Sequence, residues 1–519
     1  MALLLVVLAR RIYTSHTGLS DHTVVIGGLV FMSVCAVLHF LLIANKNARY
    51  RGFCICIWCA ELLLFGMIMI GQPLYDSEYG SENEQEGEFI RITNDLVAGF
   101  GSSLETGQDA ATFRIKNPDT SLNANYGMIM QRETLSGWTS FATQDQIDGA
   151  ISLGYSSQFT RILDSGGTVF SDTLLHIRDI ISHEELDDKL YEKVASADAV
   201  IDHMTGEKLG YNLYRNRFEM PFAIPVKDAS KLEGTYDRVP DLINAYCEAF
   251  GGSPIASEIT DTPDVKTVEG HEIYTYHIRA DGRKTMYFCG DCVDCDYYNT
   301  SVAVNGKILT IASIKENDNN LFPAHFNNNT LELGSFENEE VDIVINKDIR
   351  DSEELYDHYL FEIDTDALSA LCSSLAVDET VIRKRRGIDI EINGSIPDCE
   401  GLLVPIPYDD GWSAEADGEK VRIQNINGLF MYVPVQGAKM IHMSYFPPMM
   451  KSGAVISVIF LVLLLVTIYK DKRKAPAAGA PDRILGYTYI IAYCAAFTAI
   501  YAIPVLYALI SCFTNLPTE

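Results

Sequence analysis

Four long apolar runs lie at the two ends of the chain, two before residue 72 and two after residue 451. Residues 24–44 and 53–71 each approach the ~20 residues that a bilayer-spanning helix requires. Residues 453–469 lie at the short end of that range, while 484–512 form a longer, Tyr-rich run broken at Pro504. The pattern predicts one pair of transmembrane helices in 24–71 and a second in 452–512. The short apolar stretch at the start, within 1–23, reads as a helix stub and outer loop, and 513–519 as a tail.

Between the pairs the texture changes twice. A charged tether, DSEYGSENEQEGE, leads into mixed helix and loop signals, with helical periodicity in SDTLLHIRDIIS (171–182) and in DLINAYCEAFGG (241–252). Gly251 and Gly252 suit the end of the second of these helices. Beyond Lys266 the chain alternates β-branched and aromatic residues in EIYTYHIRA, KTMYF, SVAVN, KILTIAS and EEVDIVIN, a pattern of strands parted by Asp-Gly and Asn-Gly turns. A helical stretch over 351–376 interrupts them, and strands resume from IDIEING to KMIHMSYF. The expected fold class is α+β: transmembrane helices flanking a large extracytoplasmic region, with an α/β domain over 72–264 and one or two β-sandwich modules over 265–451.

Charge sets the expected orientation. The connector 45–52 carries Lys46, Arg49 and Arg51, and 470–483 carries Lys470, Lys472, Arg473, Lys474 and Arg483, which marks both as cytoplasmic. Arg10 and Arg11 run against this rule but are outnumbered. The large region is then outside, in a multi-pass protein of the cell membrane. It holds 30 basic and 65 acidic residues, an excess that repels nucleic acid and anionic lipid, so nucleic acid is not an expected partner.

Candidate chemistry is sparse. No Ser-His-Asp order, Gly-rich phosphate loop or HExxH helix is present. Cys289, Cys292 and Cys295 have the spacing of zinc or iron–sulfur ligands, yet the interleaved Asp291, Asp294 and Asp296 oppose thiolate formation; a disulfide and free thiols are the other two readings. Glu61 falls near the middle of the second apolar run, where a carboxyl must face protein or water. It either bonds to neighbouring or partner helices or, through a cation, helps hold a lipid-phosphate sugar. Trp412 stands among Asp409, Asp410 and Asp417, an aromatic plate with carboxylates that suits glycan binding with a divalent cation as the candidate cofactor; a core Trp flanked by turns is the alternative. Arg132, Trp138 and Tyr155 are further candidates for a glycan-binding opening.

Several strings resemble the YfhO family of bacterial membrane proteins: PIPYDDGWSAEADGEKVRIQNINGLFMYVPVQGAKMIHMSYFPPMMKSGAVIS (405–457), NLYRNRFEMPFAIPV (212–226), RIKN (114–117), GYSSQFTRILDSGG (154–167) running on to SDTLLHIRDIIS, and AELLLFG (60–66). The resemblance is to the C-terminal half of a polyprenyl-phosphate-sugar-dependent glycosyltransferase. It implies transfer of a sugar from a lipid carrier to an envelope polymer such as teichoic acid, with the lipid bilayer as surrounding medium. The acidic residue that assists such transfer is expected in a first outer loop ahead of this chain, so no catalytic residue is carried over. The alternative function is a non-catalytic, membrane-anchored glycan-binding or scaffold protein.

Overall fold

The computed structural model describes residues 90–104, 113–119, 121–122, 125–136, 142–158, 161–202, 206–291, 300–309, 330–348, 357–376, 379–384, 389–394, 399–435, 437–448 and 450–474. The expected spans in 24–71 and 484–512, with Glu61, lie outside them, as do Trp138, Cys292 and Cys295. The chain divides into two units, residues 88–448 and a second made of 1–87 with 449–519.

Of the second unit the helix Met450–Lys474 is described, 25 residues long. Val455, Ile456, Val458, Ile459, Phe460, Leu461, Val462 and Leu463 are all exposed, so the helix offers apolar side chains on every face. Among the described residues no helix is long and apolar enough to cross a membrane.

Residues 88–448 begin with a helix at 90–100 that buries Ile92, Leu96 and Phe100, spaced four residues apart on one face. These pack with Ile115, Ile181, Ala199 and Leu213 of a four-stranded sheet. The sheet runs Arg114–Lys116, Ile177–Ser182, Glu207–Asn216, Tyr191–Asp202, its first pair parallel and the others antiparallel. The helix expected over 171–182 is only partly present: Val169–Leu174 is helical, but Ile177–Ser182 is a buried strand. Its β-branched Ile177, Ile180 and Ile181 pack better on a pleated surface than on a helix, and the sheet neighbours on both sides supply the hydrogen bonds.

Two β-sandwiches follow. In the first, a four-stranded sheet (Thr330–Glu337, Arg283–Asp291, Asp357–Asp364, Ala256–Ile259) packs on a five-stranded one (Lys307–Leu309, Thr300–Val304, Glu340–Asp348, His271–Arg279, Asp264–Val268). Met286, Phe288 and Leu360 from one sheet meet Tyr276, Ile278, Val302, Ile343 and Ile345 from the other. Within the helix expected over 351–376, Asp357–Asp364 is a strand and Thr365–Leu375 is helical, and 351–356 lie outside the described residues. Tyr359, Leu360, Phe361 and Ile363 are buried on both faces of that strand, so its run of apolar residues carries no alternation to read.

The second sandwich joins the sheet Glu379–Lys384, Asp389–Gly394, Met440–Tyr445, Trp412–Ala416, Glu419–Val421 to the sheet Gln424–Ile426, Phe430–Pro434, Gly401–Val404, Ile224–Val226. Ile390, Ile392, Ile441 and Met443 face Leu402, Val404, Met431 and Val433 across its core. Both sandwiches borrow an edge strand from the preceding part of the chain, 224–226 and 256–259. The largest core cluster lies between them, gathering helices Val239–Ala249 and Thr365–Leu375 with the outward faces of both sandwiches.

Candidate functional site

The strings RIKN, GYSSQFTRILDSGG and SDTLLHIRDIIS come together in a buried polar network. Strand Arg114–Lys116 is buried at every position, so its two cations need partners. Lys116 Nζ pairs with Asp172 at 2.8 Å and lies 5.1 Å above the Tyr155 ring, whose hydroxyl donates to the same carboxylate at 2.5 Å. Arg114 donates to the carbonyls of Leu175 and Pro405, tying the first sheet to the second sandwich. Asp179 receives Arg132 at 2.8 Å, with Arg178 and Arg215 close by. Burial raises the Asp164 carboxyl, against donors from Tyr126 and the backbone of Asn117 and Ser136. Burial acts the same way on Asp119, but His183, Ser121 and Ser182 overcome it and bring that carboxyl down to about 2.

Two of the candidate glycan-binding residues belong to this network. Arg132 and Tyr155 do not line an opening: Arg132 is 7% and Tyr155 0% exposed, each held by a carboxylate inside the fold. A sugar ring has no access there. Cys289 is likewise buried, its thiol donating to the Gly290 carbonyl at 3.6 Å, while the buried Cys247 and Cys372 are free thiols. Burial pushes the Cys247 and Cys372 thiols up to about 12. Among the described residues no group of three His, Cys, Asp or Glu side chains is placed to hold a metal ion.

The residues around Trp412 separate into two places. Trp412 begins its strand, pairs with Tyr445 and is half-buried against it, ring centroids 5.3 Å apart. Asp409 caps the turn before it, accepting the Gly411 N–H at 2.7 Å. Asp410, exposed, accepts the Tyr408 hydroxyl at 3.0 Å. Asp417 lies at the far end of the strand, roughly 17 Å away for five residues of extended chain. There, at φ +48°, it accepts the N–H groups of Lys439 and Met440. Asp417 is therefore a turn residue and no part of one carboxylate ring with Trp412.

Sequence reasoning did not single out the cleft beside the sheet containing Gln424–Ile426. It has a volume of about 580 Å³ and is lined by Tyr408, Arg422, Gln424, Asn425 and Asn427 together with Leu232 and Glu233. The buried Ile423 and Ile426 also line it. Asn425 and Asn427 are fixed by the Asn427–Gly428 hairpin turn: Asn425 Oδ1 accepts the Gly428 N–H at 2.8 Å, and Asn427 Nδ2 donates to Tyr246. That Glu233, nearly two hundred residues earlier, lines the same cleft is visible only in the fold.

The fold is thus that of a β-rich region built on a buried polar sheet, in a chain with apolar ends. The family described as "Bacterial membrane protein YfhO" matches residues 1–457, and the chain belongs to it. It is 33% identical over 78 residues to "Uncharacterized protein YfhO" of Bacillus subtilis (strain 168); that match spans 15% of this chain and 9% of the relative. Among solved structures, a GH2 beta-galacturonidase from Eisenbergiella tayi bound to glycerol is 11% identical over 37% of each chain, with a TM-score of 0.14. A beta-D-glucuronidase for Dictyoglomus thermophilum is 11% identical over 38% of this chain and 42% of its own, with a TM-score of 0.16. Scores this low carry no inference about shared fold or activity.

Proposed function

We propose that this bacterial membrane protein spans the cell membrane several times, carries residues 88–448 on the outer side, and uses the Tyr408–Arg422 cleft to bind envelope glycans. The cleft itself is the observation that carries the reading. It joins an aromatic ring, three side-chain amides, a carboxylate and a guanidinium with two isoleucines, the mixture that a sugar's C–H faces and hydroxyls call for. Arg422, exposed at its rim, supplies a local positive charge in a region that is otherwise strongly acidic, so a polymer bearing carboxylates or phosphates is held there by the cleft and repelled elsewhere. The resemblance to polyprenyl-phosphate-sugar transferases extends the reading: the polymer held at the cleft is then the acceptor, teichoic acid or a similar chain, and transfer takes place at the membrane. A scaffold that only holds the polymer is the simpler form of the same reading.

The test is binding of purified envelope polymers to the full chain in detergent, measured calorimetrically for wild type, Tyr408→Ala and Arg422→Ala. Each variant is expected to bind on the order of tenfold more weakly, a loss of about 1.4 kcal/mol. Equal affinities in all three proteins, or no binding by wild type, remove the cleft from consideration.

A further inference from the structure

The corner of the second sandwich where the chain leaves residues 88–448 is aromatic and rigid. Trp412 and Tyr445 face each other across paired strands with their rings 5.3 Å apart and tilted 53°. Phe446 follows, 46% exposed. The backbone beneath them is locked: Phe446 N–H donates to the Gly411 carbonyl at 2.9 Å, and Trp412 N–H to the Asp409 carbonyl at 3.1 Å. A Cβ at position 411 would come within 2.6 Å of both the Phe446 carbonyl and the Tyr445 ring, so only glycine lets the turn close on the strand end. Pro447 and Pro448 come next, and residues 447–449 alone separate Phe446 from the helix Met450–Lys474. That helix exposes Val, Ile, Leu and Phe on every side.

We propose that Trp412, Tyr445 and Phe446 form an interfacial anchor that sits in the headgroup layer of the lipid bilayer. Water is a poor solvent for a helix apolar all round, and hydrocarbon is a good one. An aromatic group placed a few residues before such a helix is at the depth where indole and phenol rings are favoured, apolar body in the acyl boundary and polar edge in the headgroups. The corner itself is braced, because its turn is bonded to the strand end, and Pro447 and Pro448 each restrict their own backbone φ. Asp409 and Asp410 beside it favour a zwitterionic surface over an anionic one. The inference rests on membrane residence and is independent of the glycan cleft.

The chain has three tryptophans, Trp58, Trp138 and Trp412. With Trp58→Phe and Trp138→Phe, Trp412 reports alone from the full chain reconstituted into phosphatidylcholine vesicles. Lipids brominated just below the headgroup are expected to quench it roughly twofold more than lipids brominated near the bilayer centre, and more than iodide in the water. Phe446→Trp, in a background where all three native tryptophans are Phe, is expected to follow the same order more strongly, because that position is more exposed. If the chain floats with the vesicles but both probes answer to iodide and to neither lipid, the anchor is wrong. If the chain does not float, the anchor and the spanning helices fail together.

Discussion

Glu332 lies where the strand Thr330–Glu337 meets the α/β part, its carboxylate 3.3 Å from the Tyr191 hydroxyl. Burial, and after it the Asp187 carboxylate, pushes its pKa up to about 8, only partly offset by Lys116 and the Tyr191 bond. The folded value exceeds the unfolded one, so Glu332 places no penalty on folding below about pH 4.5, and stability is lost as pH rises toward 8. By linkage the full loss is on the order of 4 kcal/mol. Glu332→Gln keeps the shape and stays neutral. Its melting temperature should match wild type near pH 4.5 and exceed it by several degrees at pH 8.5; a variant that melts below wild type at the higher pH would show that the ionised carboxylate is stabilising.

At the scale of elements, the contact between helix Gln144–Ser152 and the Asn427–Gly428 turn is made by backbone. The helix is well started, with Thr143 and Gln146 forming a capping box. A Cβ on Gly149 would stand 1.9 Å from the Asn427 carbonyl, and one on Gly428 would stand 2.5 Å from the backbone of Asp145 and Gln146. Two effects therefore oppose each other in Gly149→Ala. Helix propensity favours alanine by about 1 kcal/mol, while separating the helix from the turn loses buried contacts worth more than that. The expected result is a net destabilisation of about 2 kcal/mol in urea titration, with weaker glycan binding because Asn427 also lines the cleft. A variant as stable as wild type would mean that the helix can retreat at no cost.

At the scale of the whole molecule, the sandwiches are not separable modules. Ile224–Val226 pairs with Gly401–Val404 in the second sandwich, and Ala256–Ile259 with Asp357–Asp364 in the first. Arg114 reaches from the first sheet to the Pro405 carbonyl. A fragment 379–448 lacks the 224–226 edge strand and leaves the outward face of Leu403, Phe430 and Tyr432 without its cover from the large central cluster. That fragment should show no cooperative thermal transition and should expose apolar surface to a hydrophobic dye. Residues 88–448, which keep every one of these contacts, should unfold cooperatively; cooperative folding of the short fragment would contradict the shared-core account.

Where apolar and polar residues alternate, the sequence was sufficient. Strands such as His271–Arg279, Glu340–Asp348, Asp389–Gly394 and Met440–Tyr445, the Asp417–Gly418 turn and the helix ending before Gly251 follow from apolar–polar patterning and from residues that accept positive φ. The same local logic failed at Ile177–Ser182 and Asp357–Asp364, which are buried on both faces and so carry no alternation. Family membership was legible from the order of a few strings, yet their physical role was not: only the fold shows that Lys116 of RIKN and the Tyr155 hydroxyl converge on Asp172, and that Arg132 pairs with Asp179, inside the protein. Trp412 with its acidic neighbours looked like one site because they are close in sequence. An extended strand instead carries Asp417 away from Trp412, and chain crossing brings Glu233 to Tyr408 and Arg422. Local pattern fixes which element a residue joins, because it depends on neighbours a few positions away. Which side chains share a cleft or a buried charge pair depends on contacts between distant segments, and the tertiary structure alone decides those.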